Sequence, residues 1–237
     1  LCGIGSDLGA RLVQSAQVDQ IVFTGSVPTG QSILRSAAGP VTPTLMELGG
    51  KSAAVVFEDA NLDSLIQSLK SGIFYNAGQV CSAMSRVLVH RSLYDEVVER
   101  AVALSTGLSV DHGLDNPDHT PVISEERLRC VEQMVAEAAP RSARILCGGK
   151  RLDRKGHFMA PTILVDVEPS SAIAQEEIFG PVACLIPFER EEEAIAIANG
   201  TPYGLVAGVF TRDLARAHGV TGRLRAGQVF VNERFAG

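Results

Sequence analysis

Leu45-Met46-Glu47-Leu48-Gly49-Gly50-Lys51-Ser52-Ala53-Ala54-Val55-Val56-Phe57 sets two apolar runs on either side of a glycine pair. Short apolar runs bounded by turn residues read as buried strands rather than helices. The second run, Ala53 to Phe57, is unbroken and suits a strand covered on both faces. The glycines interrupt the ladder and let backbone come close to a ligand or another segment. Glu47 thus stands at a strand end, where the ordinary reading is a surface carboxylate. Downstream, Asn76-Ala77-Gly78-Gln79-Val80-Cys81 places a thiol in a loop. A thiolate attacks a carbonyl, and a carboxylate can activate the water that later releases the acid. Acyl chemistry through a thioester needs that pair.

Between the two lies a helix. Asp59 or Asn61 can cap it, and Leu62, Leu65, Ile66, Leu69 and Ile73 follow helical spacing. Gly78 is expected to end it. A second short helix is expected to follow, with Cys81 near its N-terminus, a position that raises the thiolate fraction. Cys130, Cys147 and Cys184 are expected to be small buried hydrophobes.

Upstream, Gly3, Gly5 and Gly9 punctuate a loop and the start of a short helix. Ile21-Val22-Phe23 is followed by Gly25, Ser26 and Gly30, then a helix to about Ala38. Strand, glycine turn, helix aims backbone N–H groups at phosphate. The spacing is not G-x-G-x-x-G, and by themselves these glycines are equally a plain tight turn.

Downstream of Cys81, strand and helix alternate. Strands are predicted at Val87 to Val89, Ile145-Leu146, Thr162 to Val167, Val182 to Phe188, Val206 to Phe210 and Gln228 to Asn232. Helices are predicted at Tyr94 to Leu104, Glu125 to Ala138, Ala194 to Ala198 and Leu214 to Leu224. Such alternation predicts an α/β fold with a largely parallel sheet. A change of role near residue 51 divides the chain into 1–51 and 52–237.

Composition narrows the function. Of 237 residues, 46% are hydrophobic, which excludes a disordered chain. A net charge of −6 with no basic block argues against nucleic acid or an anionic membrane as partner. The densest charge run, Glu189 to Glu193, reads as a solvated helix start. The five cysteines form no C-x-x-C, and no histidine stands at ligand spacing from them, so no metal is expected. The five histidines, His90, His112, His119, His157 and His218, are expected in solvent-facing or loop positions. Neither a secretory leader nor an apolar run of membrane-spanning length is read, and a reducing, cytoplasmic setting is expected.

Four words in order, Phe23-Thr24-Gly25-Ser26, Glu47-Leu48-Gly49-Gly50-Lys51, Gly78-Gln79-Val80-Cys81 and Glu177-Ile178-Phe179-Gly180-Pro181, resemble the NAD(P)-dependent aldehyde dehydrogenase superfamily. The resemblance covers essentially the whole chain, and Gly78 to Arg86 looks closest to the betaine- and aminoaldehyde-oxidising branch. It implies the end of a Rossmann-type cofactor domain followed by a thiol-bearing catalytic domain. It also implies Cys81 as nucleophile and Glu47 as base, with Gly25, Ser26, Gly30, Leu48, Glu177 and Phe179 holding NAD or NADP, NAD being favoured. The residue carried over is Glu177, not Glu176; read without the family, the motif is a strand edge and turn with Phe179 in the core. Tyr75, Val80 and Ser82 would line the aldehyde pocket. The reaction implied is aldehyde to carboxylic acid, in a homodimer or homotetramer. Against the family pattern both ends are absent: the chain opens on Leu1-Cys2-Gly3 and closes on Phe235-Ala236-Gly237, so a fragment of a longer enzyme is expected. Two alternatives are a coenzyme A-acylating dehydrogenase on the same fold, which Glu47 opposes, and a non-catalytic binding or assembly domain.

Overall fold

The computed structural model describes residues Cys2 to Glu233. Leu1 and the closing Phe235-Ala236-Gly237 lie outside the described residues. The chain divides into two compact units, Leu1–Gly49 and Gly50–Gly237.

In the first unit a π-type turn, Gly5–Gly9, runs into the short α1 (Ala10–Val13). Then come β1 (Ile21–Gly25), α2 (Val27–Ala38) and β2 (Thr44–Leu48). The strands pair in parallel, with Thr24 opposite Glu47 and Gly25 opposite Leu48. α2 begins where it does because Ser26 caps it. The Ser26 Oγ accepts from the Thr29 N–H at 3.4 Å, and Pro28 occupies the first turn, where a missing N–H costs nothing. Gly30 lets the helix lie close on β2: a Cβ there would sit 2.8 Å from Leu48 Cδ2.

The second unit is built on a seven-stranded sheet. Its strands are β3 (Ala53–Val56), β4 (Arg86–His90), β5 (Arg144–Cys147), β6 (Thr162–Val165), β7 (Val182–Phe188), β8 (Val206–Phe210) and β9 (Gln228–Val231). The spatial order is β5-β6-β7-β4-β3-β8-β9, and only the β5–β6 pair is antiparallel. The helices are α3 (Leu62–Gly72), α4 (Tyr94–Gly107), α5 (Glu125–Ala138), α6 (Ala172–Gln175), α7 (Glu191–Asn199) and α8 (Leu214–Thr221). Successive strand residues point to opposite faces, so β3 feeds two cores. Ala53 and Val55 join Leu128, Val131 and Val220 on one face, while Ala54 and Val56 join Leu65, Leu69 and Val97 on the other.

Caps set the helix boundaries. Asn61, not Asp59, caps α3, its Oδ1 accepting from the N–H groups of Asp63 and Ser64. Asp59 serves the loop before α8 instead, accepting from Thr211 Oγ1 and from the N–H groups of Arg212 and Asp213. The acidic run does open a helix: Glu191, Glu192 and Glu193 occupy the first turn of α7, and Arg223 pairs with Glu191 and Glu192. Two predicted strands stop early because the next residue turns left-handed, Asp166 after β6 (φ 53°) and Asn232 after β9 (φ 57°).

Other expectations fail on burial. Cys184 is buried, but Cys147 is only partly so and Cys130 is exposed on the outer face of α5. His119 does lie in a loop, one of the two settings expected of the histidines, but it is 1% exposed and ties the loop backbone down through Ser109 O and Asp111 N. Neither ring nitrogen has a well-formed hydrogen bond, the Thr120 backbone offering only a poor one. Burial lowers its pKa to about 4.

The unfolded chain therefore takes up a proton near pH 6.5 that the folded chain refuses until about pH 4. Stability contributed at neutral pH is lost as pH falls through that window, roughly 3 kcal/mol in all. Urea unfolding at pH 7, 5.5 and 4.5 should show a shallower acid decline for His119→Phe than for the parent. Identical slopes would mean that His119 titrates normally.

Candidate active site

Three loops meet at the amino edge of the second sheet. Residues 50–52 lead into β3, 79–85 into β4 and 176–181 into β7, and these strands are neighbours in the order β7-β4-β3. Their backbones touch. A Cβ on Gly50 would lie 2.6 Å from the carbonyl oxygen of Cys81, and a Cβ on Gly78 would lie 2.1 Å from that of Gly180.

The loop before Cys81 is not the one expected. α3 ends at Gly72 rather than at Gly78, and a tight turn, Tyr75–Gly78, follows. Asn76, Ala77 and Gly78 are all left-handed, with φ of 49°, 55° and 69°. Such a run is costly for Asn and Ala, about 1–3 kcal/mol each, and persists only where the surroundings hold it. Here Asn76 Nδ2 donates to Gln79 O, Gln79 Nε2 returns a bond to Asn76 O, and Gln79 Oε1 accepts from the Ile123 N–H at 2.8 Å. No helix follows Cys81; the chain turns and enters β4. The helix-terminus argument for this thiol therefore falls. Cys81 itself is half-buried.

Glu177 and Phe179 share this edge. Burial raises the Glu177 carboxyl above its ordinary pKa, against the opposing pull of the Gly50 N–H, the Arg127 guanidinium and the Lys51 ammonium. Phe179 is left-handed (φ 52°) and half-exposed, its ring 5.7 Å from the Arg127 guanidinium. The core residue of the motif is Ile178, 2% exposed, whose carbonyl Arg127 also bonds. Val80, Gly50, Glu177 and Phe179 line one small cavity of about 10 Å³. Of the other pocket candidates, Tyr75 is 63% exposed, whereas Ser82 is buried at 7%.

In the first unit, the sequence-predicted residues collect at the carboxyl edge of the two strands. Gly25 and Leu48 are register partners, Glu47 is the penultimate residue of β2 beside them, and Ser26 opens α2 directly after β1. At the start of α2 Pro28 has no N–H and the Thr29 and Gly30 N–H groups are given to Ser26, which leaves the Val27 N–H and the Ser26 hydroxyl as the donors open to a phosphate.

Two residues of the second unit were missed. Lys51 is 1% exposed, its Nζ has no partner, and burial lowers its pKa to about 8. Arg86, 2% exposed, donates to Lys51 O and to the last carbonyls of α7, those of Ile197 and Ala198, at 2.8–2.9 Å. It stabilises a helix C-terminus by charge and by hydrogen bonds. The available signal was a lone cation opening the buried run Arg86-Val87-Leu88-Val89.

The chain matches the family model described as "Aldehyde dehydrogenase family" over residues 1–237. It is 41% identical over 235 residues to the chloroplastic betaine aldehyde dehydrogenase of Atriplex hortensis, covering 98% of this chain and 47% of the relative. To the peroxisomal aminoaldehyde dehydrogenase 2 of Pisum sativum it is 42% identical, with 98% and 47% covered. The NAD+ complex of an aldehyde dehydrogenase from Bacillus cereus superposes with a TM-score of 0.96 at 38% identity, over 99% of this chain and 48% of that one. The chain spans about half the length of the curated relatives it matches.

The glycine contact yields a direct test. Gly78→Ala should destabilise the protein by about 1–3 kcal/mol or more, since it adds a left-handed side chain into the Gly180 carbonyl. Gly107→Ala, where an added Cβ meets nothing, should change stability by no more than about 1 kcal/mol. Thermal unfolding of both variants checks the pair; equal midpoints would remove the constraint.

Proposed function

Because the chain belongs to the aldehyde dehydrogenase family, we propose that it oxidises an aldehyde to the carboxylic acid, through a thioester on Cys81. The observation that carries this reading is the seating of Cys81 on a strained loop locked to the segments bearing Gly50 and Glu177. The Cys81 thiolate adds to the carbonyl carbon, forming the S–C bond and moving the π pair onto oxygen. The Cys81 N–H is the donor we assign to that oxyanion. A bound nicotinamide cofactor supplies the acceptor for the hydride that leaves the same carbon. Ser26 and the start of α2 would hold its phosphates, Gly25, Gly30 and Leu48 give the turn its close packing, Glu177 would accept from ribose hydroxyls, and Phe179 would pack near the ring. Glu47 then takes a proton from water, whose oxygen attacks the thioester carbonyl and frees the thiol.

NAD is the cofactor favoured. For substrate we favour aldehydes carrying an amino or ammonium group, on the strength of the relatives' names and the exposed Tyr75 ring, which suits a cation. Val80 and Ser82 would complete the wall. Among the described residues no helix is long and apolar enough to cross a membrane. All five cysteines are free, which suits a reducing compartment such as the cytoplasm.

In the full-length protein, Glu47→Gln should keep a rapid first turnover and lose steady-state rate by roughly 10²–10⁴-fold. Stopped-flow NADH absorbance would show a burst followed by a slow phase. Disappearance of the burst itself would assign Glu47 to an earlier step.

Preincubation with NAD and an aldehyde should slow iodoacetamide labelling of Cys81 while leaving the exposed Cys2 and Cys130 unchanged. Peptide mapping by mass spectrometry reads this. Unprotected labelling of Cys81 would remove it from the site.

A further inference from the structure

We propose that the head of α5 braces the nucleophile loop and the cofactor loop against each other, with Gln79 and Arg127 as the positioning residues that tie each loop to it. The proposal rests on the reading of Cys81 as nucleophile and of Glu177 and Phe179 as cofactor residues, and adds what keeps them in register.

The helix head is itself fixed. Ser124 caps it, its Oγ accepting from the Arg127 N–H at 3.2 Å, and Leu128 and Val131 are fully buried beside it. Just upstream, the Val122 N–H donates to His157 O. From this anchored segment one tie goes to each loop. The Ile123 N–H donates to Gln79 Oε1 at 2.8 Å, close before Cys81 in the chain. The other end of the same amide turns inward, Nε2 donating to Asn76 O, so one planar group joins the strained turn to the helix head. One turn along, the Arg127 guanidinium donates to Ile178 O at 3.4 Å and stands 5.7 Å from the centre of the Phe179 ring. Its charge also acts on Glu177.

Both loops are strained at the point where they are held. Asn76 and Ala77 on one and Phe179 on the other are left-handed without being glycine, and such residues persist only where their surroundings hold them. The loops also meet directly, Gly78 against Gly180, and a Cβ on Gly180 would lie 2.6 Å from a Val131 methyl. Steric contact of that kind resists compression and does nothing against separation. The hydrogen bonds from α5 supply the opposite restraint. Hydride transfer needs the reacting atoms close and aligned, and a 1 Å error costs about 10²-fold.

The two ties act in series: cutting either one frees one loop from the other, and cutting the second adds little. In the full-length protein, stopped-flow NADH bursts at saturating NAD and aldehyde read this for Gln79→Met, Arg127→Met and the double variant. Each single change should slow the burst by about ten- to a hundredfold. The double variant should be slower than the slower single by no more than about threefold, the mark of coupled positions. Where Gln79→Met does not fold, Ala77→Gly supplies the background, since glycine takes the left-handed turn at no steric cost. Effects that multiply would make the two residues independent contacts, and a lowered unfolding midpoint with the parent's burst rate would make them purely structural; either result overturns the brace alone. A parent enzyme with no burst would overturn the reading of the reaction, and the brace with it.

Discussion

Two glycines join main chain to main chain at the amino edge of the second sheet. At Gly50 and Gly78 main chain meets main chain with no room for a side chain, joining the entries to β3, β4 and β7 into one piece. The rest of that edge follows from the constraint. Asn76 and Ala77 take left-handed geometry to bring Gly78 under Gly180, and the Asn76–Gln79 bonds hold them there. A half-buried thiol and a half-buried carboxylate then face solvent from a backbone that cannot relax. Strain of this kind is stored where surrounding structure over-determines the chain.

The location inverts a familiar tendency. In open parallel sheets, ligands usually meet the carboxyl ends of the strands. The candidate residues of the first unit fit this, Ser26 and Glu47 lying at the carboxyl ends of β1 and β2. In the second, Cys81, Glu177 and Phe179 all precede their strands. The helices of that sheet leave from the carboxyl edge, which frees the amino edge for loops held by their own contacts.

Much of this was legible because it is local. The continuous run Ala53 to Phe57, the β7 run Val182 to Phe188 and the periodicity of Glu125 to Ala138 each announce an element with short-range physics, and each is found. The words around Glu47, Cys81 and Glu177 pointed to a family, and the family match spans the chain. What was not legible depends on partners distant in sequence. Gly78 read as a helix stop, since nothing near it shows that Gly180 will press against it. The burial of His119 and the exposure of Cys130 turn on which face of a loop or helix the sheet covers. Lys51 and Arg86 were passed over because a cation after a glycine pair, or at a strand start, is ordinarily at the surface.

Arg86 reaches three carbonyls from two separate parts of the fold with one planar, branched head group. Lysine carries the same charge on a single point and can answer only one of those carbonyls well. The position is thus closed to the exchange that similarity scores treat as the mildest available to arginine. A homologue with lysine there must either end α7 differently or hold the Lys51 carbonyl by other means.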